Sequence, residues 1–333
     1  MDNSTLKVLL QEYEQKRIKA NLIAEQNKNN LYKNYPRLEE IENEINKLSI
    51  DKIKSILSSN TNELNKFDLK IQELQTEKEK IFKNANISAN SLLPHYECKL
   101  CNDTGYISNG YKSVMCNCLK QKIFNIEYNK SNIGNIEFEN FSSFSLNYYS
   151  DEINVEKYGL NISPRENIKT IKKISENFIK NFENPSEKNL LFTGNTGLGK
   201  TFLCNCIAYE LLKQGKTVLY QTAPVMIDNI INCRFGKLDT NSNIIENILN
   251  VDLLIIDDLG TETLNNMKLT ELFTIINSRI LNQNNKITKT IISTNLDLKT
   301  IFSIYNERIG SRFVGHYNIC KFIGDDIRFK KMK

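Results

Sequence analysis

Residues 190–201 read LLFTGNTGLGKT. Gly194, Gly199, Lys200 and Thr201 satisfy the pattern G-x-x-x-x-G-K-[ST]. A short apolar run, Leu190–Thr193, precedes the loop and predicts a strand; Phe202–Leu212 predicts a helix. Glycine lets the backbone fold tightly, so that the N–H groups of Gly194, Asn195, Thr196, Gly197, Leu198 and Gly199 turn inward around phosphate oxygens. The N-terminus of the following helix adds its positive end. In this arrangement Lys200 reaches the β- and γ-phosphates, and the Thr201 hydroxyl ligates Mg²⁺. The expected ligand is ATP with Mg²⁺.

A second stretch, VDLLIIDDLG at residues 251–260, places two carboxylates at the end of an apolar strand, Val251–Ile256. Ligands of open α/β sheets bind at the carboxyl ends of strands. Asp257 is expected to hold Mg²⁺, directly or through water. Asp258 is the candidate to orient or deprotonate an attacking water, unless one of the two is structural. Another strand, Thr217–Thr222, lies between the two motifs, after a helix-ending Gly215–Lys216. Residues 165–333 continue to alternate β-branched runs with amphipathic stretches. That alternation predicts an α/β domain, a parallel sheet flanked by helices.

Working outward, residues 1–88 predict a coiled-coil-like helical arm. The first 85 contain no Gly and one Pro, Pro36, and Leu38, Ile41, Ile45, Leu64, Ile71 and Leu74 recur at helical spacing. Pro36 and Ser58–Glu63 would separate its helices, with Asn60 or Thr61 as a cap. Periodicity does not choose between a support for the next domain and a docking arm for a partner. Residues 98–118 read CKLCNDTGYISNGYKSVMCNC, two close cysteine pairs around a hairpin-like insert. Cys98, Cys101, Cys116 and Cys118 form the expected tetrahedral Zn²⁺ site in a module spanning 89–122, with His95 as a spare ligand. Residues 123–164 read as a connector. Cys204, Cys206, Cys233 and Cys320 read as core fillers.

Composition adds limits. The chain of 333 residues has a formal net charge of only +5, too little to argue for a nucleic-acid partner without a local patch. No apolar run has signal-peptide length, and none approaches the about 18 residues of a membrane span. The expectation is a cytoplasmic, soluble protein with no membrane partner. Arg234-Phe235-Gly236-Lys237 offers basic and aromatic groups suited to single-stranded DNA, or a merely solvated loop.

A fourth strand, Thr290–Thr294, ends in Ser293–Asn295; then come NERIGSRF at Asn306–Phe313 and GDDIRFKK at Gly324–Lys331. With the two earlier motifs, this series resembles the DnaC/DnaI-type helicase loaders of bacteria and phages, and the IstB-type transposition helper ATPases are similar too. The resemblance covers residues 165–333 and implies an AAA+ ATPase core. It implies that Asn295 is the polar sensor of the γ-phosphate. Arg312 would be an arginine finger serving a neighbouring subunit, with Arg308 as second candidate, and Arg328 the sensor within its own subunit. The pattern departs from many AAA+ proteins in having Asp258 where they have Glu, so water activation is expected to be weak or to need help, from Glu262 for example. Only five residues follow Arg328, too few for a C-terminal lid. Similar zinc modules precede the core in DnaI-type loaders. The resemblance therefore implies slow, partner-stimulated hydrolysis by an ATP-dependent homo-oligomer that loads a replicative DNA helicase onto single-stranded DNA. The alternatives are a transposase helper, a P-loop small-molecule kinase, and an ATP-gated binding module with little turnover.

Overall fold

The computed structural model describes residues 3–57, 64–108, 110, 112–127, 138–235, 244–282 and 286–330. The chain divides into two compact units, residues 7–114 and residues 115–333 together with 1–6. Among the described residues no helix is long and apolar enough to cross a membrane. The expected break at 58–63 and its cap lie outside the described residues.

The first unit holds three helices, α1 (Asn3–Asn34), α2 (Pro36–Leu57) and α3 (Leu64–Asn84). Pro36 occupies the first position of α2, where its missing N–H costs nothing. Arg37 and Glu42 in the first half of α2 pair with Glu77 and Lys78 in the second half of α3, and Lys52 late in α2 pairs with Asp68 early in α3, so α2 and α3 are antiparallel. Residues 91–97 run back along α1. Asn27 donates to the Ser91 carbonyl, Tyr96 donates to Asn21, and Lys16 pairs with Glu97. In α1 the residues Leu9, Tyr13, Ala20, Ala24 and Leu31 form the buried stripe, but Val8, Ile18, Leu22 and Ile23 are exposed, so periodicity alone does not mark its inner face. A short hairpin, β1 (Tyr106–Ser108) with β2 (Ser113–Met115), follows.

Glu42 knots this unit. Its carboxylate accepts from Lys28, Lys78 and Tyr32. Burial alone would raise its pKa, but those hydrogen bonds outweigh burial and hold the group at about 2.

The second unit is built on five parallel strands: β3 (Asn189–Thr193), β4 (Val218–Thr222), β5 (Leu253–Leu259), β6 (Lys289–Thr294) and β7 (Tyr317–Lys321). Their order across the sheet is β4-β5-β6-β3-β7. Side chains alternate between two covered faces. Leu190, Phe192, Val218, Tyr220, Leu253, Ile255 and Ile291 fill one core. Leu191, Leu219, Leu254, Ile256 and Ile292 fill the other. The first face is covered by α6 (Pro164–Lys180) and α7 (Lys200–Lys213); the second by α8 (Ala223–Arg234), α9 (Ile244–Asn250), α10 (Asn266–Asn282) and α11 (Leu298–His316). A short turn, α5 (Val155–Tyr158), and a helix α4 (Asn117–Glu127) precede these. Gln121 of α4 pairs with edge strand β4, donating to the Val218 carbonyl and accepting from its N–H at 3.0 and 2.7 Å. The segment expected to be only a connector also joins this unit: Phe141, Phe144, Leu146 and Tyr148 pack on the core around buried Tyr149.

Arg279 of α10, 1% exposed, ties the second face together. Its guanidinium donates to the carbonyls of Ile248, Val251 and Lys289 at 2.6, 3.1 and 2.7 Å, and to the Thr290 hydroxyl at 2.9 Å. Burial pulls its pKa down to about 10, so the group stays charged at neutral pH.

Two outcomes follow for stability. Arg279→Met strands several buried carbonyls and should cost about 3–5 kcal/mol in urea unfolding; a loss near zero would show that the cluster is rehydrated. Glu42, with its folded pKa depressed, stabilises the fold above the ordinary carboxylate range and loses that contribution as pH falls toward about 2. Thermal melts of Glu42→Gln should therefore vary less over that acid range than those of the parent chain.

Candidate functional site

The loop after β3 leads directly into α7, as the glycine pattern requires. Gly197 and Gly199 have φ of 77° and 88°, in the left-handed region that side chains avoid. A Cβ on Gly197 would lie 2.1 Å from the Asp326 carboxylate, and one on Gly199 would lie 2.6 Å from the Tyr149 hydroxyl. The left-handed φ favours glycine at both positions, and at Gly199 the buried Tyr149 hydroxyl also leaves no room for a side chain. The Lys200 ammonium spends its three donors on the carbonyls of Gly194 and Asn195 and on Asn295 Oδ1, at 2.6, 2.8 and 2.7 Å. Burial lowers its pKa, while the Asp258 and Asp257 charges oppose that shift.

Asp257 sits at the carboxyl end of β5, beside that lysine, and is buried. Thr201 Oγ1 donates to its Oδ2 at 3.0 Å, and the Tyr220 hydroxyl donates to the same oxygen at 2.7 Å. Its Oδ1 accepts from Ser293 Oγ and from the Asp258 N–H. The β5–β6 register slips between Ile256 and Leu259, and Asp258 takes a left-handed φ of 54°. This bulge turns consecutive acids to different environments. Burial, then the Asp257 charge, raises the Asp258 carboxyl above its ordinary value, with Lys200 opposing. Glu262 is otherwise engaged: its oxygens accept from the Gly260 N–H and the Tyr305 hydroxyl, so it braces the turn after β5.

The segment 324–330 lies across the loop, its Ile327 N–H donating to the Gly197 carbonyl at 2.9 Å. Arg328 is gripped by Asp326, Nε to Oδ1 at 2.9 Å and Nη2 to Oδ2 at 2.5 Å. Its charge is felt at Lys200. Beside Gly199, the rings of Phe144, Tyr148, Tyr149 and Phe202 with Ile327 line a small cleft. Aromatic walls next to a phosphate loop suit a purine base.

Arg308 and Arg312 are placed differently. Asn306 (φ 67°, ψ 166°) breaks α11 and caps its second half, accepting the N–H groups of Arg308 and Ile309. That half runs toward the amino end of β7, whereas Gly194, Asp257 and Asn295 stand at carboxyl ends. Arg308 is exposed and Arg312 half-buried.

The thiols of Cys98, Cys101, Cys116 and Cys118 all lie within 4.8 Å of one another. Four Zn–S bonds of about 2.3 Å set thiolates about 3.8 Å apart, so the donor set fits Zn²⁺. Local turns aim the thiols. Asp103 accepts the N–H groups of Glu97 and Cys98, both at 2.9 Å, and Asn102 and Asp103 turn with φ of 50° and 54°. The Cys116 carbonyl accepts from Leu119 and Lys120 at the start of α4. His95 is not part of the cluster. Arg234, a candidate DNA contact, is engaged by Glu271 at 2.8 Å; Gly236 and Lys237 lie outside the described residues.

Sequence reasoning missed Tyr149, Tyr220, Ser293 and Asp326. Only Asp326 carried a local signal, standing two residues before an arginine.

Relatives of known kind exist. The replicative helicase loader DnaC of Buchnera aphidicola subsp. Acyrthosiphon pisum is 28% identical over 149 residues, covering 44% of this chain and 57% of that protein. DnaC of Escherichia coli K12 is 27% identical, covering 37% of this chain and 48% of its own. The chain thus spans about half the length of the curated relatives it matches. A crystal structure of the DnaC helicase loader is similar in fold, with a TM-score of 0.43, 24% identity and coverage of 57% of this chain and 99% of that one. The model of a family described as IstB-like ATP binding protein matches residues 146–332, more than half the chain. This chain, with its glycine loop, paired acids and asparagine at the carboxyl ends of one parallel sheet, belongs to the IstB-like ATP binding protein family.

Proposed function

We propose that this chain is a cytoplasmic ATPase that loads a replicative DNA helicase onto single-stranded DNA. The observation that carries the catalytic part is the convergence of Lys200 on Asn295 beside Asp257 and Thr201. The helicase as partner is supported by the likeness to the DnaC loaders, and single-stranded DNA follows from that role.

Domain roles follow the sequence boundaries: an arm (1–88) and a zinc module (89–122) grip the helicase, a connector (123–164) lines the base cleft, and the ATPase domain (165–333) turns over ATP. The backbone N–H groups of Gly194–Thr201 hold the phosphates, with the base in the aromatic cleft. Mg²⁺ on the Thr201 hydroxyl, which Asp257 orients, would offset charge that spreads over the transferring phosphoryl group. Lys200 trades its carbonyl partners for phosphate oxygens. Asn295 and Asp258 orient the attacking water, and Asp258 takes its proton; the shorter side chain makes this step slow. Arg328 leaves Asp326 for the nucleotide. Arg312, on the far side of its own sheet, serves a nucleotide bound by another copy, so turnover needs a homo-oligomer.

A second reading, a transposase-helper ATPase, draws on the IstB-like family itself. Native mass spectrometry of the full chain with the host's replicative helicase, with and without ATP, separates the two. A stoichiometric complex that needs residues 1–120 supports loading; no complex under any nucleotide condition points to the transposase helper.

Lys200→Ala should weaken ATP binding about 10–100-fold in fluorescence titrations and end hydrolysis. By contrast, Arg312→Ala should keep nucleotide binding and lower phosphate release about 10³-fold; equal loss of binding would place Arg312 at its own nucleotide. Metal analysis should find one Zn²⁺ per chain, lost in Cys98→Ser and Cys118→Ser. Full metal content in both variants would sink the zinc assignment.

A further inference from the structure

The Asp257 carboxylate has about four lone-pair sites, and the protein fills all four. Two fillers come from the two sequence motifs themselves: the Thr201 hydroxyl at 3.0 Å and the Asp258 N–H at 3.1 Å. The other two are side-chain hydroxyls from neighbouring strands. Tyr220 of β4 donates to Oδ2 at 2.7 Å, and Ser293 of β6 donates to Oδ1. Strand register explains the reach, since Thr222 stands beside Asp257 and Tyr220 one alternation below it on the same face.

A buried tyrosine hydroxyl takes an acceptor wherever it finds one. Here the acceptor is the same oxygen that receives the Thr201 proton. Held on both sides, the carboxylate cannot rotate about its Cβ–Cγ bond. The Thr201 hydroxyl is thereby fixed with its proton toward Asp257 and its lone pairs turned away, where a cation is accepted. We propose that Tyr220 and Ser293 are positioning residues for Mg²⁺, acting through Asp257 and Thr201. The proposal rests on the ATPase reading but adds residues that no phosphate-loop motif contains.

The test is Mg²⁺ titration of fluorescent ATP-analogue binding, with a parallel measurement in EDTA, on Tyr220→Phe and Ser293→Ala. Tyr220→Phe removes one oxygen and keeps the ring in the core. Outer partners of metal ligands typically matter about tenfold or more in metal affinity. In both variants the Mg²⁺ concentration for half-maximal binding should therefore rise about tenfold, with binding in EDTA unchanged. Ser293→Ala carries the test if the Phe variant does not fold. An unchanged Mg²⁺ requirement, with or without a lower melting temperature, overturns the positioning role while leaving the ATPase reading intact. A parent chain that binds no nucleotide with or without Mg²⁺ overturns both.

Discussion

The ammonium of Lys200 is the contact on which the rest of the site depends. A buried cation must find acceptors, and unpaired it would cost several kcal/mol. Its partners are two carbonyls of the loop after β3 and the amide of Asn295 after β6. These bonds join the ends of adjacent strands and set the loop's curvature. In the proposed nucleotide complex, phosphate oxygens would take the place of these carbonyl partners. The charges of Asp258 and Asp257 also act on this lysine, and burial, then the Asp257 charge, raises the Asp258 carboxyl.

The sheet domain was largely legible in the sequence because its signals are local. Buried parallel strands read as apolar runs, and the glycine loop is one continuous stretch whose spacing has a single physical solution. The acids at 257 and 258 stand at the end of such a run. What was not legible is contact between distant segments. Tyr149 reaches the Leu198 carbonyl from 49 residues away, and Tyr220 reaches Asp257 from 37. A tyrosine inside a strand pattern looks like core until the neighbouring strand is known. Glu262 shows the opposite failure: an acid near the motif looked available for catalysis, but the turn consumes both its oxygens.

The three arginines singled out from the sequence differ in their surroundings. Arg328 is held by a carboxylate that itself sits over Gly197, so its present state is a neutral pair at the loop. Arg308 and Arg312 project from a helix half whose start is fixed by Asn306 in a backbone conformation that non-glycine residues rarely adopt. The strain places the break at one residue and so fixes the direction of the segment carrying both guanidinium groups.

Gln121 has a consequence for how copies can meet. By matching the N–H and carbonyl of Val218, its amide imitates a further strand at the entrance of β4. Only a short remainder of that edge is left to recruit another chain's backbone. Copies approaching from that flank therefore cannot fuse into one continuous sheet. Any contact made there falls to side chains, whose contacts are individually weak and reversible.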